Sequence, residues 1–141
     1  MSITPFLWFD TQAEDAAKFY CSVFKNAKIK GSTPGPDGRP MTVEFELDGQ
    51  EFVALNGGPS RKFNEATSFV VTCRDQSEID YYWTKLTDDG GEESMCGWLK
   101  DKYGLSWQVV PKGLGDMLRS PAAIQAMMKM RKFDIAVLKA A

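Results

Sequence analysis

Histidine is absent from all 141 residues. That absence removes the imidazole on which catalytic zinc and non-haem iron sites commonly depend. It also removes the Ser-His and Cys-His nucleophile pairs. Cysteine is scarce. Cys21, Cys73 and Cys96 are odd in number and sit at no metal-ligand spacing, as expected of free thiols in a reducing compartment. Long apolar runs are missing; the longest are about five residues, against the roughly 20 that a spanning helix needs. No membrane span is therefore expected. The N-terminus, MSITPFLWFD, lacks a basic region followed by an apolar core, so no secretory signal is expected and the chain reads as cytoplasmic. There is no excess of positive charge. With 17 Lys and Arg against 19 Asp and Glu, the net charge is -2, which leaves no basic field for nucleic acid. No G-x-G-x-x-G follows a strand pattern, so a doubly wound nucleotide or methyl-donor domain has no support.

What is present is globular material. The chain is 43% hydrophobic and 26% charged, and its length suits one domain with a real core. Ile3 to Phe9 is a short apolar run with Pro5 near its start, which suits the beginning of a strand. A helix follows, capped by Thr11 or Asp10, with Ala16, Phe19, Tyr20, Val23 and Phe24 on one apolar face and Asn26 near its end. Lys28 to Thr33 reads as a strand, and residues 34–40 as dense turn chemistry. In Met41 to Leu47, Val43, Phe45 and Leu47 alternate with Thr42, Glu44 and Glu46, the period-two pattern of a half-buried strand. Asp48-Gly49 is a type I′ hairpin signal, and Glu51 to Asn56 is the returning strand.

The order then repeats. Thr67 to Cys73 is a strand. Asp75 or Ser77 caps a helix carrying Ile79, Tyr82, Trp83 and Leu86. Glu92 to Met95, Gly97 to Lys102 and Leu105 to Pro111 read as short strands, the last two joined around Tyr103-Gly104. Each half is strand, helix, strand, strand, strand, and such a repeat outweighs any local assignment. The fold class expected is α+β, with two tandem βαβββ modules at residues 1–60 and 65–111 in a single domain, and a helical C-terminal extension at 112–141. In that extension Ser120-Pro121 has the N-cap and N1-proline pattern. Ala123, Met127, Met130, Ile135 and Leu138 continue at helical spacing. A tail this apolar must pack on its own sheet or on a second subunit.

Two βαβββ units in tandem resemble the vicinal oxygen chelate superfamily, which includes glyoxalase I, extradiol dioxygenases and the fosfomycin and bleomycin resistance proteins. The wording is closest to the PhnB-like branch, labelled as a demethylubiquinone methyltransferase. The stretches that carry this are ITPFLWFDTQAEDAAKFYCSVFKNAKI, VEFELDGQEFVALNGGP, KFNEATSFVVTC, YYWTKLTDDGGEE and CGWLKDKYGLSWQVVP, with KMRKFDIAVLKAA in the tail. The resemblance implies half-barrel sheets around a cleft, and metal ligands drawn from the first and last strand of each half. Laid on this chain, those positions are Thr4, Asn56, Ala66 or Ser68, and Gln108. All four depart from the metal-binding pattern, since neutral amides and hydroxyls are weak ligands for a divalent ion. No metal and no cofactor is expected.

Strand phase supplies the other candidates. If Val43, Phe45 and Leu47 face the helix, Glu44 faces the opposite side, where it is a candidate general base. Its alternative is a solvent-facing carboxylate. The same logic turns Phe6 and Trp8 away from the helix as a flat apolar wall for a ligand, or as filling for the cleft or a dimer seam. Asn56 and Gln108 are candidate hydrogen-bonding groups for a ligand, or satisfy groups across the sheet. Trp98 lines the same region, whereas Trp107 has the phase of Val109 and reads as core. Cys96 has no histidine to activate it. The expected function is metal-independent binding or conversion of an unknown small molecule by a homodimer. The alternatives are a glyoxalase-like or dioxygenase-like metal enzyme using Glu44 and Cys96, and a structural protein with a plugged cleft. The methyltransferase label draws no support from the residues.

Overall fold

The computed structural model describes residues 1–141, which group into two compact units, Met1–Phe63 and Asn64–Ala141. The first unit runs β1 (Phe6–Phe9), α1 (Ala13–Val23), β2 (Ala27–Pro34), β3 (Pro40–Leu47) and β4 (Gln50–Asn56). Its sheet has the order β1-β4-β3-β2, with β1 parallel to β4 and the other pairs antiparallel. The alternation in β3 decides its faces. Val43, Phe45 and Leu47 are buried beneath α1, which contributes Ala13, Ala16, Ala17, Tyr20 and Val23. Tyr20 stacks on Phe45 at 6.0 Å between ring centroids, and Phe45 stacks on Phe52 at 5.4 Å. Burying each such ring stabilises the unit by roughly 2–3 kcal/mol. Asp48 and Gly49 both take positive φ, 47° and 84°, as a type I′ turn requires.

The start of α1 differs from expectation. Its N-cap residue is Gln12, which makes no side-chain capping bond. Asp10 and Thr11 lie two residues and one residue too early, because the helix begins only at Ala13. Asn56, at the end of β4, takes over the role. Its Oδ1 accepts from Ala13 N at 2.9 Å, and its Nδ2 donates to Pro40 O at 2.8 Å.

The second unit runs β5 (Ser68–Cys73), α2 (Gln76–Thr87), β6 (Glu92–Glu93), β7 (Trp98–Lys100), β8 (Ser106–Pro111), α3 (Leu114–Met117), α4 (Pro121–Met128) and α5 (Ile135–Ala140). Its sheet order, β5-β8-β7-β6, repeats the first with the same parallel and antiparallel pairs. Asp75 caps α2 by accepting from Glu78 N at 2.9 Å. Ile79, Trp83 and Leu86 of α2 are buried, as are Leu99, Trp107 and Val109 of the sheet. Strands β6 and β7 are shorter than the sequence pattern predicts. Between them the chain turns through positive φ at Cys96 (59°) and Gly97 (82°), which interrupts the ladder. The molecule is thus α+β, two βαβββ modules with a helical extension.

That extension packs within its own unit. Ser120 caps α4 by accepting from Ala123 N at 3.0 Å, with Pro121 in the first turn. The helical spacing from Ala123 to Leu138 does not yield one helix. The chain leaves α4 after Met128 and crosses the sheet as a strap. Cys96 N and Gly97 N donate to Met130 O and Arg131 O, each at 2.8 Å. The Gln76 amide grips the strap from α2, donating to Phe133 O at 2.8 Å and accepting from Ile135 N at 2.9 Å. Phe133 and Leu138 are buried. No helix is long and apolar enough to cross a membrane.

Candidate functional site

Each sheet has one face under its helix and one open face. On the open face of the first sheet, register aligns Phe6, Val53, Glu44 and Gly31 in one row across β1, β4, β3 and β2. Trp8, Leu55, Thr42 and Thr33 form the next row. Phe6, Trp8 and Glu44 therefore share a face, as strand phase predicts. Glu44 is half-buried, and its Oε1 accepts from Thr42 Oγ1 at 3.2 Å. A hollow of about 230 Å³ lies beside it, lined by Thr4, Lys30, Gly31, Glu44, Glu51 and Val53 among others. Gly31 follows a bulge that sets Lys30 out of register between Ile29 and Gly31. A Cβ at Gly31 would sit 3.6 Å from Glu44 Oε2, so the glycine leaves the carboxylate open on that side.

Lys30 forms an ion pair with Glu51 at the rim of the hollow. The hydrogen bond and charge of Glu51 push the ammonium pKa up, and the same contacts hold the Glu51 carboxyl below its usual value. Trp8 is anchored rather than free. Its Nε1 donates to Gly58 O at 2.9 Å, and the Arg61 guanidinium lies 5.9 Å from its ring centroid. A Cβ at Gly57 would fall 2.4 Å from the indole, so only glycine admits the ring there.

The two modules can be superposed by register alone. Phe9 with Asn56 and Cys73 with Pro111 close the parallel pairs. Each is followed by the same backbone bond, Gly57 N to Phe9 O at 2.8 Å and Lys112 N to Cys73 O at 2.7 Å. In this frame the counterpart of Gln108 is Val53, and the counterpart of Trp98 is Glu44. Asn56 is thus corrected: it matches Pro111, pairs with helix-facing Phe9, and its amide serves α1 and β3. The placement by resemblance missed by three residues, because strand phase does not reveal where a strand ends.

On the open face of the second sheet, Trp98, Gln108 and Val70 form one row, and Lys100, Ser106 and Ser68 the next. Gln108 Nε2 donates to Ser68 Oγ at 3.0 Å. Ser106 Oγ is buried without a hydrogen-bond partner, and Lys100 pairs with Glu65 at 3.0 Å. The positions implied for a metal thus offer Thr4, Val53, Ser68 and Gln108, an apolar side chain and three neutral donors. That donor set does not fit a divalent cation. Nowhere do three or more Asp, Glu or Cys side chains gather as a metal would need. Cys96 Sγ lies 3.7 Å from Met127 O, beside the extension of its own unit.

Sequence reasoning missed Gly31, Lys30, Glu51 and Val53. An isolated glycine inside a strand pattern signals a bulge or a close approach, and Gly31 was available as that signal.

The family model for 3-demethylubiquinone-9 3-methyltransferase matches residues 1–110. A solved structure from Bacillus cereus, described as a putative 3-demethylubiquinone-9 3-methyltransferase and PhnB protein, is 33% identical with TM-score 0.72, covering 79% of this chain and 99% of its own. The fosfomycin resistance protein FosX of Listeria monocytogenes shares the fold at 13% identity and TM-score 0.58, over 82% of this chain and 96% of its own. A glyoxalase/bleomycin resistance protein from Albidiferax ferrireducens does so at 11% identity and TM-score 0.55, over 77% and 96%. No curated protein matches. The chain belongs to the PhnB-like family that its matching model describes as 3-demethylubiquinone-9 3-methyltransferase, on the glyoxalase/bleomycin resistance fold.

Proposed function

We propose that the protein binds, and through Glu44 deprotonates, a small uncharged molecule on the open face of its first sheet without a metal ion. The observation that carries this reading is the hollow beside Glu44, where Gly31 leaves the carboxylate accessible. At about 230 Å³ it is smaller than a drug-sized pocket, so it suits a few-atom ligand or one end of a larger one. Val53 and Phe6 in the same row offer apolar contact. Thr42 donates to one carboxylate oxygen and leaves the other for a ligand hydroxyl, amide or acidic C–H. Trp98 and Gln108 form a second polar and aromatic patch for the same class of ligand.

The reading takes the protein as a cytoplasmic homodimer. Phe6 and Val70 support the dimer, since these register counterparts are 62% and 55% exposed, more than apolar side chains on a sheet face usually are. Methyl transfer, the activity in the family description, is not part of the proposal, because no strand leads into a glycine-rich methyl-donor loop.

Ligand-observed NMR with a library of small hydroxyl and amide compounds tests it. Binders are expected that compete with one another, persist in chelator, and weaken about tenfold or more in Glu44→Gln, which removes the charge, and in Gly31→Val, which fills the hollow. Binders indifferent to both substitutions, or bound only after metal is added, would sink the reading.

A further inference from the structure

We propose that the C-terminal extension carries a separate binding site for a small organic dianion. A cavity of about 570 Å³ opens between the end of β8, the α3–α4 connection and α5. That volume falls within the ~300–1,000 Å³ typical of ligand pockets. Three cationic residues from these three places line it: Lys112, Arg119 and Lys139. Their convergence is notable in a chain whose net charge is -2. Half-buried Met117 gives one side an apolar surface.

The charges are available. Neither Lys112 nor Lys139 has a carboxylate partner. Arg119 pairs with Asp116 at 2.8 Å, but the two side chains are 78% and 79% exposed. An exposed pair of this kind contributes only about 0–1 kcal/mol, so Arg119 is readily drawn to a doubly charged ligand. Lys112 is held at the cavity edge by its backbone bond to Cys73 O and by Gly113, whose φ of 76° turns the chain into α3. A phosphate monoester or an aromatic dicarboxylate suits this arrangement, its charges among the cations and its body against Met117. Every lining residue lies beyond residue 110, where the family match ends, so the site belongs to the extension and is independent of Glu44.

Titration of the full chain with phenyl phosphate and with phthalate, followed by backbone amide NMR, tests the proposal. Ala141 also borders the cavity, so any tag is placed at the N-terminus. Saturable shifts are expected at residues 112–120 and 138–141 with at least one of the two dianions, and none with phenol. The double variant Lys112→Gln/Lys139→Gln is expected to weaken binding by about tenfold or more, and added salt to weaken it further. Arg119→Gln is expected to have a smaller effect. The variant amide spectrum reports whether the fold is kept; because both lysines are exposed, it is expected to remain native. Failure of both dianions to saturate, shifts centred elsewhere, or undiminished binding by the folded double variant would overturn the proposal.

Discussion

The two modules solve the same hairpin in different ways. In the first, β3 and β4 are joined by Asp48-Gly49, an exposed turn whose positive φ angles do the work locally. In the second, β7 and β8 are joined by residues 101–105, and the turn is organised from inside by Asp101, which is only 2% exposed. Its Oδ1 accepts from Tyr103 N at 2.8 Å and Leu105 N at 3.1 Å, and its Oδ2 accepts from Trp107 Nε1 at 2.9 Å. A turn built from backbone preference can face solvent. A turn built on a buried carboxylate depends on every donor staying in place. The difference shows that an internal repeat conserves hydrogen-bond register more strictly than the means of achieving it.

The largest expected effect breaks this contrast. Asp101→Ala removes the acceptor of three donors, two of them buried, and is expected to destabilise by about 4 kcal/mol. Asp48→Ala, at the matching hairpin, removes a residue that tolerates φ of 47° and a long, exposed hydrogen bond from Asn26 Nδ2 at 3.4 Å, and is expected to cost about 1 kcal/mol. Urea unfolding of both variants measures the difference. Equal losses would show that the two hairpins are held alike.

A second contrast lies one strand inward. Val43 and Gly97 are register counterparts, on the helix side of their sheets. Val43 fills its own space and is 2% exposed. Gly97 leaves its space to Phe133 of the strap, where a Cβ would stand 2.4 Å from the ring and 2.9 Å from Val109 O. The second sheet is therefore completed by the extension, whereas the first completes itself. Phe133→Ala is expected to cost about 3 kcal/mol by leaving a cavity, and Gly97→Ala a similar amount through overlap and positive φ. Both should speed hydrogen exchange at the Cys96 and Gly97 amides, which the strap binds. Unchanged protection there would separate the strap from the stability of the sheet.

The helix starts give a smaller contrast. Asp75 caps α2 from within the same turn, while Asn56 caps α1 from 43 residues away and also holds Pro40. Asp75→Ala is expected to cost about 1 kcal/mol, and Asn56→Ala about 2 kcal/mol because two backbone groups lose their partner. Thermal unfolding of the two variants orders them.

Much of this was readable from the residues. Period-two alternation in 41–47 assigns the faces of β3, and with them the side on which Glu44 lies. Asp48-Gly49 and Ser120-Pro121 name their own turn and cap. What escaped was set by partners distant in sequence. Asn56 carries no mark that its amide will meet Ala13, and Asp101 resembles any polar hairpin residue until Trp107 is placed against it. The strap escaped for the same reason: Met130 to Phe133 keep helical spacing, but Gly97 and Gln76 provide better partners than a further helical turn. At the candidate site, Glu44, Phe6 and Trp8 follow from phase alone. The hollow beside Glu44 depends on a bulge at Lys30, which register reveals and composition does not.

The smallest effect concerns how the strap responds to acid. Lys132 lies 2.7 Å from Asp80, and Gln76, which grips the strap, also donates to Asp80 at 3.0 Å. The hydrogen bond from Lys132, followed by that from Gln76, holds the Asp80 pKa below its usual 3.8. A carboxyl with a depressed folded pKa stabilises the fold above its unfolded value, and this contribution fades as pH falls through the folded one. The Asp80 contribution should therefore be complete at neutral pH and decline only in acid below about 3.8. Both groups are substantially exposed, so the effect is screened and small. In Asp80→Asn, exchange at the Cys96 amide at neutral pH should be slightly faster than in the unaltered protein, with the difference shrinking in acid. A difference that instead grew as pH fell from neutral would assign the grip on the strap to Gln76 and Phe133 alone, and would leave the Asp80–Lys132 pair as surface charge with no part in holding the extension.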